Sequence, residues 1–112
     1  MTIQYKNEIF SLTGTANTTV VSIATSAIAI VKSVYCANTS TGSVLVKARA
    51  KSGGSNSRFF VKNMATNTSE NLTPQGLNLE AGDAIEVQSS EGGGVVEGVV
   101  SYALINRQNE NG

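Results

Sequence analysis

Turn signals break this chain at short, even intervals, and that spacing constrains its fold more than any other feature. They occur at Gly14-Thr-Ala-Asn17, Asn38-Thr-Ser-Thr-Gly42, Ser52-Gly-Gly-Ser-Asn-Ser57, Asn67-Thr-Ser-Glu-Asn71, Pro74-Gln-Gly76, Glu80-Ala-Gly-Asp83 and Ser89-Ser-Glu-Gly-Gly-Gly94. The runs between them, about five to twelve residues each, are rich in Val, Ile, Thr, Phe and Tyr, and no segment carries an apolar i, i+3, i+4, i+7 stripe. The pattern predicts an all-β chain. Composition agrees: eleven Thr, thirteen Ser and eleven Asn stand against sixteen charged residues in 112. Such side chains compete for helical hydrogen bonds and suit strands and turns.

Several runs show their faces. In 43–50, Val44, Val46, Ala48 and Ala50 alternate with Leu45, Lys47 and Arg49, so one side is buried and the other wet. In 83–89, Ile85 and Val87 oppose Ala84, Glu86 and Gln88. The run 95–105 buries Val96, Val100, Tyr102 and Leu104, yet Val99 and Ile105 on its other face are also apolar, as in a central strand or one covering a second surface. In 27–38, Ile28 and Ile30 group with Val34 and Cys36 on one face, but Lys32 interrupts that row. A bulge or bend near Val31-Lys32 reconciles the pattern. Phe59-Phe60-Val61 is apolar on both faces, either as a subunit interface or as an edge strand wrapping onto its own core. Residues 1–12 read as an N-terminal arm or strand, because Ile3, Tyr5, Ile9 and Phe10 are too apolar for a loose tail. Residues 13–105 form the sandwich domain, and 106–112 a polar C-terminal tail.

Catalytic and metal chemistry find little support. Without His there is no Ser-His-Asp or Cys-His arrangement, and the lone Cys36 cannot build a thiolate zinc site. No cofactor or metal is expected, and the chain does not read as an enzyme. Glu80, Asp83 and Glu86 are the one acidic cluster; the Glu80-Ala-Gly-Asp83 spacing suits a tight turn better than a calcium site. Gly92-Gly-Gly94 lacks the Lys-Ser/Thr and following helix of a phosphate loop and reads as a flexible hairpin tip. Eight basic and eight acidic residues, with Lys and Arg scattered singly, give no footprint for nucleic acid. The most apolar stretch, 20–31, is interrupted and shorter than the roughly 20 residues that span a bilayer, so no membrane is expected. The first residues lack a signal-peptide pattern, which predicts synthesis in a cytoplasm.

The stretch Ala27-Ile-Ala-Ile-Val-Lys-Ser-Val-Tyr-Cys-Ala-Asn-Thr-Ser40, then Val44-Leu-Val-Lys47, Leu77-Asn-Leu-Glu-Ala-Gly-Asp-Ala-Ile-Glu-Val87 and the closing Val99-Val-Ser-Tyr102 resemble a group of small virion proteins of tailed bacteriophages. The resemblance covers roughly residues 20–105; a Pro-Ala-Gly turn found before the first motif in many relatives is Ile23-Ala-Thr-Ser26 here. It implies a single antiparallel β-sandwich, jelly-roll or Ig-like, and a structural role in the virion after synthesis in the host cytoplasm. The leading expectation is a capsid decoration (cement) protein that binds the major capsid protein and its own copies, as a homotrimer or another symmetric oligomer. A neck, tail or fibre-attachment protein and a carbohydrate- or receptor-binding module with loop tips such as 52–57 are the alternatives. The residues expected to meet partners are Ile3, Tyr5, Ile9, Phe10, Phe59, Phe60, Val99 and Ile105, with the first ten residues as an arm that adds to a partner's sheet edge.

Overall fold

The computed structural model describes residues 2–106. Its strands are β1 (Thr2–Ser11), β2 (Thr18–Ser22), β3 (Ala27–Asn38), β4 (Val44–Ser52), β5 (Ser55–Met64), β6 (Thr68–Asn71), β7 (Leu77–Leu79), β8 (Ala84–Ser89) and β9 (Val96–Asn106), with no helix among the described residues. All pairings are antiparallel. Sheet A has the order β1-β9-β3, with β6 and β7 following one another along the far edge of β3; sheet B has the order β2-β8-β4-β5.

The topology follows from one long hairpin. Its tip is the β4–β5 turn, and its legs pair β3 with β6 and β7, β2 with β8, and β1 with β9. Laying β3 beside β9 and β4 beside β8 rolls this hairpin into two facing sheets. That arrangement is a jelly roll, which selects one of the two sandwich types open from sequence.

The core lies between the sheets and is built by alternation. Val44, Val46 and Ala48 of β4, Ile85 and Val87 of β8, and Val96 and Val100 of β9 are all fully buried. In β3 the register shifts between Val31 and Ser33, leaving Lys32 as the extra residue of a bulge. Ala27, Ala29 and Val31 before it, and Val34, Cys36 and Asn38 after it, point inward. The bulge stands where the sequence placed it, but one grouping needs correction. Because the bulge reverses the phase, Ile28 and Ile30 point away from the core and do not share a face with Val34 and Cys36. A second bulge, in β5, leaves Phe59 unpaired between Arg58 and Phe60, which explains why two successive Phe residues both pack against the core.

The turns are held by specific bonds. The amide of Asp83 donates to the Glu80 carbonyl (3.0 Å), the Asp83 carboxylate accepts from the Glu80 amide (3.0 Å), and Gly82 takes a φ of 83° that other residues resist. Buried Asn38 organises a larger junction. Its Nδ2 donates to the carbonyls of Gly42 and Met64 (both 2.9 Å), while its Oδ1 accepts from the amide (2.9 Å) and hydroxyl (2.7 Å) of Ser40. The glycine run is tied down rather than forming a free tip: the amides of Gly93 and Gly94 donate to the carbonyls of Thr13 and Leu12. β9 reaches Asn106, one residue past the boundary drawn from sequence; the polar tail beyond it lies outside the described residues.

Candidate functional site

The outward faces of the two sheets differ in chemistry. On sheet A, three cross-strand rows carry apolar side chains outward: Ile3–Ile105–Ile28, Tyr5–Ala103–Ile30 and Ile9–Val99–Tyr35. Five of the six exposed large apolar residues among those described, Ile3, Tyr5, Ile9, Ile30 and Tyr35, belong to these rows, with Ile9 87% and Tyr5 78% exposed. Scattered exposed apolar residues are ordinary; five gathered on one sheet face make it the candidate contact surface.

Two features shape this face. A polar row, Asn7–Ser101–Ser33, divides the apolar ones, with the Ser101 hydroxyl donating to Asn7 Oδ1 (2.6 Å) and the Lys32 ammonium 6.0 Å from the Tyr5 ring centre. Beyond it an open groove of about 580 Å³ runs over Ile9, Val99 and Tyr35 toward Glu97. Close strand approach underlies that groove. A Cβ on Gly98 would lie 1.9 Å from the Tyr35 carbonyl oxygen and 2.7 Å from the Phe10 ring, so only glycine lets β9 pass β3 there while Phe10 covers it from the core side.

Sheet B presents charge instead. Sequence scatters the basic residues singly, yet the β4–β5 and β4–β8 registers gather Lys47, Arg49, Lys51 and Arg58 around Glu86. Arg49 donates to Glu86 Oε1 through Nε (2.8 Å) and Nη2 (2.7 Å), and the Lys51 ammonium lies 3.5 Å from Oε2. Burial of this carboxyl works to raise its pKa, but the Arg49 hydrogen bond and the positive charges of Arg49 and Lys51 outweigh it and hold it below the usual value of 4.5. Glu86 is thus committed to neutralising its neighbours, separate from the Glu80–Asp83 turn. The four basic residues outnumber Glu86 and leave this face with a surplus of positive charge.

The expected contact residues divide accordingly. Ile3, Tyr5, Ile9, Val99 and Ile105 come together on the outer face of sheet A. Phe59 and Phe60 pack against the core from the far edge of sheet B and do not join that surface, while Phe10 turns inward over Gly98 and meets it only as a lining residue of the groove. Ile28, Ile30 and Tyr35 complete the surface and were missed from sequence. Their signal was Lys32: once it is taken as the extra residue of the bulge, the residues before it change sides. Burial pushes the Cys36 thiol up to about 12, and burial, followed by the charge and hydrogen bond of Glu8, raises the Tyr102 hydroxyl.

The sequence matches no protein-family profile and no curated protein. Its fold does have solved counterparts. A chain of the T13 particle of infectious bursal disease virus superposes with a TM-score of 0.56 at 12% identity over 94% of this chain, which spans only 31% of the viral one. A protein of Bacillus endospore appendages, described as a novel family of disulfide-linked pili, superposes with a TM-score of 0.51 at 14% identity, covering 95% of this chain and 88% of that one. At these identities the likeness is one of fold.

Proposed function

We propose that this protein is a non-enzymatic structural component of a bacteriophage virion, a capsid decoration protein that lays the outer face of sheet A on the major capsid protein and turns sheet B to solvent. The observation that carries this reading is the contrast between the two faces: three exposed apolar rows on one, a cluster of charge on the other. A subunit gripping a shell needs such a contrast. Each large apolar side chain covered on docking contributes roughly 1.5–3 kcal/mol, so a few of them suffice once the cost of ordering is met. The jelly roll of the virus-particle chain and the phage-like motifs are consistent with this role.

The test is add-back to shells assembled without the protein. Ile9→Asp combined with Tyr35→Asp should lower occupancy at least tenfold, whereas Lys47→Glu on sheet B should leave it unchanged. Full occupancy by the sheet A variant would sink the proposal. A fibre or tail position is the second reading, favoured by the pilus-protein match over nearly its whole length. The single Cys36 is buried, so copies would have to join without the disulfides of that family. A cryo-EM map of virions separates shell from tail.

A further inference from the structure

A jelly roll has two open edges on each sheet, and three of the four here are blunted. β2 is five residues long and bulged between Thr19 and Val21, and the opposite edge of sheet A is broken into short β6 and β7. β5 is long, but it carries the bulge at Phe59 and two positive charges, Arg58 and Lys62, which would meet like charges in self-pairing. β1 is neither short, bulged nor broken, and its two charges, Lys6 and Glu8, are of opposite sign. It pairs with β9 in unbroken register from Thr2–Asn106 to Ser11–Glu97, contains no Pro, and its other edge is open. The backbone phase of that edge is fixed. Leu12 donates to Val96 and accepts from Gly94, so even-numbered residues face β9. By alternation the N–H and C=O groups of Ile3, Tyr5, Asn7, Ile9 and Ser11 point to the open side.

From this geometry we infer that β1 pairs antiparallel with β1 of a second copy about a two-fold axis through Asn7, joining the two A sheets into one. Only odd residues can oppose odd residues, and the strand is complementary to itself in the register centred on Asn7. Tyr5 then faces Ile9 of the other copy on the outer side, extending the apolar rows across the axis. On the inner side Lys6 faces Glu8, twice. A shift of the centre by one residue either way sets Lys6 against Lys6 or Glu8 against Glu8, and a parallel arrangement in register would do both, so charge selects the register. Glu8 also lies near enough to Tyr102 to help raise that hydroxyl, which puts the carboxylate on the inner side, where its oxygens can accept from the incoming lysine. About ten backbone hydrogen bonds would form across the axis. The pairing is two-fold, unlike the trimer expected from resemblance, and stands whether or not the protein sits on a virion.

Sedimentation of the purified full chain tests it through charge exchange. The wild type should sediment at twice the 11.6 kDa chain mass, and K6E or E8K alone should weaken association at least tenfold. An equimolar mixture of K6E and E8K should regain dimers, as should the K6E/E8K double variant, because each restores opposite charges. This recovery separates pairing from a damaged fold. N7C, on the axis, should cross-link to its counterpart on oxidation, while Q4C, about 20 Å from its own, should not. A wild type that stays monomeric at millimolar concentration, a trimer mass, a mixture that fails to recover, or Q4C linking as readily as N7C would overturn the inference.

Discussion

Asn38 is a single buried side chain joining three segments: the β3–β4 turn through Gly42 and Ser40, the end of β5 through Met64, and β3 itself. Asn38→Ala removes both ends of that junction and takes the side-chain donor from the carbonyl of buried Met64, while the Gly42 carbonyl keeps the Ser40 hydroxyl. The expected loss is about 3 kcal/mol, a fall in Tm on the order of 10 °C or more measured by calorimetry. Asn38→Asp keeps the acceptor but loses the donors and sets a charge against carbonyl oxygens, so it should be no better tolerated. This role could not be read from sequence, where Asn38 stood as one turn residue among many. A turn signal reports local conformation; it does not say which distant carbonyls a side chain will reach.

At the scale of elements, β8 and β4 share the one carboxylate set among bases. Glu86 has its folded pKa lowered, so its contribution to stability is present above the usual value of 4.5 and is lost as pH falls through the lower folded value. Urea unfolding should show Glu86→Gln less stable than wild type by about 1–3 kcal/mol at neutral pH, with the gap narrowing as pH falls below the usual 4.5. A gap that stays constant would mean that shape, not charge, matters at this position. The alternation of β4 and β8 was plain in the sequence because each buries one face only. β3 was half legible: Lys32 betrayed the bulge, but the side taken by Ile28 and Ile30 depends on which small residues, here Ala27 and Ala29, the opposite sheet admits. That is a packing fact, invisible to periodicity. β1 was legible as a strand by its apolar content, while its place beside β9 depends on the roll of the whole hairpin.

For the molecule as a whole, Cys36 is a built-in reporter. It sits in β3, bonded on one side to β9 and on the other to β6, fully buried, with its thiol pushed up to about 12 by that burial. A thiol reagent in native buffer should leave it unmodified, and labelling should rise with denaturant along the same curve as global unfolding. Labelling well before that transition would show β3 opening alone. The sequence conveyed the all-β class and the wet face of β4; the rest of the outer-face contrast came from the register, since Arg58 of β5 and Glu86 of β8 join Lys47, Arg49 and Lys51 only when those strands pair with β4.

The last strand of the roll is also the centre of its larger sheet. β9 separates β1 from β3, so neither can find its place in sheet A until residues 96–106 exist. On a ribosome working from the N-terminus, the β4–β5 hairpin can close early, but the sandwich is completed only after β9 has emerged. Until then β1 waits as an unpaired strand whose sequence can pair with itself. Order of synthesis therefore leaves β1 open to another chain until the ten-residue span of β9 has emerged to pair along it.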